Sequence, residues 1–151
     1  MFRAAPSRGF TLLELLAALA IAGLVLAVSV PASVKMYDSM RYRETVRELI
    51  TLFASARYQA INSGFAQNVE VHPDLGELRL NQVVKLVPAG VRLFVESSAE
   101  LNLNNVGIIR FYPEGGSSGG SVDIQRSTGA GVKVSVDWLL GSVSQETYGD
   151  R

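Results

Sequence analysis

The side chains in this sequence with reactive chemistry are one histidine, a glycine-serine run, an Asp-Trp pair and one carboxylate buried in an apolar stretch. His72 is the single histidine and there is no cysteine. A transition-metal centre would therefore need carboxylates for nearly every ligand, so no metal site and no cofactor are expected. In His72-Pro73-Asp74-Leu75-Gly76 the imidazole reads as a surface group in a turn. Serine, threonine and carboxylates are plentiful, but a nucleophile needs a base within hydrogen-bonding range and no spacing supports His72 in that part. Gly115-Gly116-Ser117-Ser118-Gly119-Gly120 has the composition of a phosphate cradle. No Lys-Ser/Thr follows it, and the next segment has the pattern of a strand rather than a helix. A hairpin connection is expected there. With no catalytic constellation, enzymatic function is not expected.

Glu14 stands apart. Residues 10–30, FTLLELLAALAIAGLVLAVSV, carry that one charge. The run is close to the roughly 20 residues a helix needs to cross a hydrocarbon core. An acidic side chain at the centre of such a helix costs about 2.5–3.5 kcal/mol, so its presence needs a reason. Arg3 and Arg8 precede the run; the positive-inside bias then places the N-terminus in the cytoplasm and the chain beyond Pro31 outside. A secretory signal peptide would need Val30-Pro31-Ala32 as its cleavage site, and this apolar region is longer than the usual one. A plain uncleaved anchor explains the length but leaves Glu14 without a purpose.

Beyond Pro31 the pattern changes to an amphipathic helix. Tyr42, Val46, Leu49, Phe53, Ala56 and Ala60 recur at steps of four and three and mark its apolar face. Arg41, Arg43, Glu44, Arg47 and Glu48 lie off that face and are expected to meet water or neighbouring subunits. Asn62-Ser63-Gly64 supplies a stop. One helix is thus expected over 10–62, its first half in lipid and its second half on a globular domain. From residue 67 short β-rich runs follow, at 69–71, 77–80, 82–87, 91–95, 107–112, 121–126 and 131–138, divided by turn signals. The fold class is α+β, a long N-terminal helix packed on an antiparallel β-sheet.

Gly9-Phe10-Thr11-Leu12-Leu13-Glu14 resembles the junction of type IV pilins and type II secretion pseudopilins. The resemblance implies a leader of residues 1–9, cleavage by a prepilin peptidase between Gly9 and Phe10, and N-methylation of Phe10. It also implies that Glu14 pairs in the assembled filament with the Phe10 amine of a neighbour, which makes the carboxylate tolerable. Pro31 falls where that family commonly has a proline, and a kink is expected there. Phe111-Tyr112-Pro113-Glu114 with the following 115–120 loop is similar to a signature of the GspH/FimT family. Val134-Ser135-Val136-Asp137-Trp138 through Gly141 and Val143 resembles that family's closing strands. Membership implies pilin-like organisation: 1–9 leader, 10–31 transmembrane and filament-core helix, 32–64 its amphipathic continuation, 65–151 a periplasmic β domain. Asp137-Trp138 is then expected to be structural, with Trp138 packing the sheet or a subunit contact. Major pseudopilins bind calcium in an acidic C-terminal loop; Glu146 and Asp150 are too sparse for that.

The implied role is a minor pseudopilin near the tip of a type II secretion pseudopilus. Its expected partners are other minor and major pseudopilins, the prepilin peptidase and the inner membrane, crossed once. The alternative is a FimT-like minor pilin that captures DNA. Loss of Arg3 and Arg8 with the leader would turn a neutral chain slightly acidic, and DNA capture generally needs a basic patch. Arg110, Arg126 and Lys133 would have to cluster to provide one. DNA is therefore not the expected partner.

Overall fold

The computed structural model describes residues 9–97 and 106–149, apart from the side chains at 28, 30–32 and 35. A single helix, α1, spans Leu12–Ser63. Among the described residues eight strands follow: β1 Gln67–His72, β2 Glu77–Leu80, β3 Val83–Leu86, β4 Val91–Glu96, β5 Gly107–Phe111, β6 Gly120–Arg126, β7 Gly131–Val136 and β8 Val143–Tyr148. The chain forms two compact units, Met1–Ser39 and Met40–Arg151.

In the second unit, α1 ends where the sequence stops it, with the Gly64 N–H bonding back to the Ala60 carbonyl at 3.0 Å. Every residue of the anticipated apolar face is buried: Tyr42, Val46, Leu49, Phe53, Ala56 and Ala60. The strands form two antiparallel sheets rather than one, in the orders β3-β2-β1-β5 and β4-β6-β7-β8. Alternation along each central strand sends one set of side chains inward. Val69 and Val71 pair with Leu80 and Leu78 in the first sheet; Val122 and Ile124 pair with Val134 and Val132 in the second. One cluster joins these residues to the helix face. At its centre the Phe53 and Phe111 rings lie 5.9 Å apart and tilted. Burying a side chain of that size stabilises by about 1.5–3 kcal/mol.

The sheets approach along the β4 and β5 edges because residue 107 is glycine. A Cβ at Gly107 would run into the Val95 side chain. The 115–120 run links β5 of one sheet to β6 of the other, so it is not a hairpin. It is a crossover that opens in hairpin style, with an isolated bridge between Phe111 and Ser117.

Candidate functional site

At the start of α1, Gly9 and Phe10 are exposed coil, and Phe10 is 81% exposed. Thr11 caps the helix. Its Oγ1 accepts the Glu14 N–H at 3.2 Å, and its carbonyl accepts the Leu15 N–H at 3.2 Å. Thr11-Leu12-Leu13-Glu14 thus has the spacing of a capping box, which satisfies one of the otherwise orphaned amides of a helix N-terminus. Glu14 is the acidic residue of the first turn, where a negative charge opposes the positive end of the helix dipole. Glu14 therefore has a local reason to be acidic as well as any intersubunit one.

In the first unit, the helix side chains from Leu12 to Ala27 are exposed on every side. Leu12, Leu13, Leu15, Leu16, Leu19 and Ile21 are all more than half exposed. A helix that is apolar all round belongs in a protein core or a bilayer. Among the described residues no helix is long and apolar enough to cross a membrane. Within residues 10–30 the unbroken stretch of described side chains ends at Ala27, short of the roughly 20 residues a span needs. The remainder of the run, to Val30, includes side chains outside the described residues, as is the Pro31 side chain. Residue 31 itself is helical, within α1.

The two C-terminal motifs, distant in sequence, meet in one knot. Strand β7 ends at Val136, two residues earlier than the pattern implied, because Asp137 turns the chain. Its Oδ1 accepts the Leu139 and Leu140 amides at 2.9 and 2.7 Å. Its carbonyl accepts the Gly141 amide and the Ser117 hydroxyl, both at 2.9 Å. Ser117 also donates its amide to the Trp138 carbonyl at 2.9 Å. Gly141 has φ +59°, and a Cβ there would lie 2.5 Å from the Gly115 carbonyl oxygen. A Cβ at Gly116 or Gly119 would meet the Trp138 carbonyl oxygen or Cβ less closely, at 3.0 and 3.3 Å, and one at Gly120 would lie 2.6 Å from the Glu96 carbonyl oxygen. Arg57 of α1 ties the knot to the helix, its Nε donating to the Gly115 carbonyl at 3.1 Å. Trp138 does not pack on the sheet. It projects with Leu139 and Leu140, all more than 60% exposed.

The remaining sites do not gather. His72 closes β1 rather than sitting in the turn, and is half-buried with Nε2 3.3 Å from Glu70 Oε2. No group of three potential ligands occurs among the described residues. Arg110 donates to Asn68 Oδ1 at 2.8 Å, in the first sheet. Lys133 pairs with Glu96 at 2.8 Å, while Arg126 lies 4.1 Å over the Tyr42 ring on the helix side. These three do not form the basic patch that DNA capture would use. Hydrogen bonding to Lys133 holds the Glu96 carboxyl below its ordinary range, and the same bond raises Lys133. Lys85 is raised likewise by its bond to Glu48 of α1. Arg57 was not anticipated: one arginine on a helix face carries no signal of a carbonyl waiting opposite.

Residues 5–30 match the prokaryotic N-terminal methylation motif. The fold is similar to the solved structure of the minor pseudopilin EpsH from the Type 2 Secretion System of Vibrio cholerae, with a TM-score of 0.58 and 12% identity. That match covers 73% of this chain and 99% of the other. None of the curated proteins matches the chain. The chain thus carries a prepilin-type methylation motif and a fold like that of EpsH, a long N-terminal helix on antiparallel sheets.

Proposed function

We propose that this protein is a minor pseudopilin of a type II secretion system, a structural subunit rather than an enzyme. The observation that carries the reading is a capped N-terminal helix, exposed on every described side, beginning inside a prepilin methylation motif. A surface of that kind requires lipid or other helices around it. In this reading the prepilin peptidase cuts between Gly9 and Phe10 and the Phe10 amine is methylated. The 10–31 helix anchors the subunit in the inner membrane, with the β domain in the periplasm. On assembly the helix leaves lipid for the filament core, and Glu14 pairs with a neighbour's Phe10 amine. Pro31 loosens the helix between its two halves. The fold likeness to EpsH supports the secretion assignment. The separate placement of Arg110, Arg126 and Lys133 weighs against a FimT-like DNA-capturing pilin.

The direct test is Glu14→Ala. The expected result is normal membrane insertion with loss from sheared filaments. Recovery in filaments at wild-type abundance would overturn the proposal. N-terminal sequencing should find a mature chain that begins with methylated Phe10.

A further inference from the structure

On the second unit, the charged residues of α1 border two different depressions. Glu48 bonds Lys85 of β3, and Glu44 adds to the field that raises Lys85. Arg43 and Arg47 line a groove of about 380 Å³ between the helix and the second sheet, together with Arg126, and Arg47 also borders the neighbouring pocket that holds Glu44 and Glu48. Val46 and Ile50 form part of its apolar floor. The far wall is β8, which contributes Gln145 and Thr147. These two pair across the strand with Val134 and Val132, so they share the inward face. The strand's acidic residue, Glu146, pairs with Lys133 and so takes the opposite face. The lining holds three guanidinium groups and no carboxylate.

Strand β8 is also the edge of its sheet, and no strand among the described residues covers its outer side. An open edge presents unpaired amides and carbonyls at the strand spacing.

We propose that this groove binds an extended acidic peptide segment of a partner protein, which adds to β8 as a fifth strand. Alternate side chains of such a strand face one side only. Carboxylates on that side meet the guanidinium forks of Arg43, Arg47 and Arg126, which suit bidentate pairing. Small apolar residues between them cover the Val46 and Ile50 floor. The Arg126 guanidinium, stacked over Tyr42, is already oriented, so less side-chain freedom is lost on binding. The inference rests on the second unit alone, helix and sheet together, and stands whichever filament the subunit serves.

The test uses the full chain in zwitterionic detergent and fluorescence anisotropy with a labelled peptide alternating glutamate and valine. Controls are the matching lysine–valine peptide and a short DNA duplex. The acidic peptide is expected to bind, the basic one not, and hydrogen exchange at residues 143–148 to slow on binding. Arg43→Gln with Arg47→Gln should weaken binding at least tenfold without lowering the melting temperature, because both side chains are exposed. Lys133→Gln should leave it unchanged. No binding, equal binding of both peptides, or indifference to the double substitution would overturn the proposal. Binding without protection of β8 removes the added strand. Tighter, arginine-dependent binding of the duplex replaces the peptide with nucleic acid.

Discussion

Asp137 and Gly141 divide the work of one turn, the first supplying hydrogen bonds and the second vacating space. Replacing Asp137 by Ala removes the acceptor for two backbone amides, and on an exposed turn that loss is worth about 1 kcal/mol. Asp137→Asn, which keeps an acceptor oxygen, should recover most of it in urea denaturation. Gly141→Ala is more severe. It places a Cβ against the Gly115 carbonyl and the Arg57 side chain at a positive φ, and backbone strain alone costs about 1–3 kcal/mol. A variant as stable as the parent would show that the knot relaxes freely. At the other end of the chain, Thr11→Ala should cost the helix start about 1 kcal/mol and raise amide exchange at Glu14, whose N–H loses its partner. Glu14→Gln keeps the size of the side chain and loses the charge. Capping would survive that change, whereas pairing with a neighbouring amine would not, so filament incorporation separates the two roles of this residue.

The helix was legible in the sequence because its periodicity and its core face have the same cause. All six residues spaced for one face are buried, with Thr45 and Leu52 beside them, and Phe53→Ala should cost about 3–5 kcal/mol in denaturant. Strands β1 to β7 were legible to within a few residues for the same reason. Strand β8 was not. Its sequence Val-Ser-Gln-Glu-Thr-Tyr lacks apolar alternation, because one face meets water and on the other only Val143 packs on the core, while Gln145 and Thr147 line the arginine groove. The division into two sheets was equally hidden: strand patterns fix faces, not neighbours, and the Gly107 approach that joins the edges leaves one glycine as its trace. The 115–120 run illustrates the same limit. Its composition specified a turn, but which strands it joined depended on the Asp137 turn about twenty residues on.

At the scale of the whole molecule, the charged pairs set how the β domain responds to pH. Glu96 is held below its ordinary 4.5, so its contribution is complete above that value and fades as the pH falls through the lowered one. Lys133 and Lys85 are held above 10.5, so theirs is complete below that value and fades as the pH rises through the raised ones. The urea midpoint should therefore be flat from about pH 6 to about pH 9 and decline on both sides. Glu96→Gln should flatten part of the acid limb, and salt should shrink both limbs because the groups are exposed. The knot adds a different consequence. The chain has one tryptophan, and Trp138 is 68% exposed on a turn pinned by Asp137. Tryptophan emission therefore comes from that point alone: red-shifted and readily quenched by acrylamide in the isolated subunit. A neighbour that covers the turn will move the spectrum to the blue and slow the quenching, so the protein carries its own unlabelled optical reporter of contact.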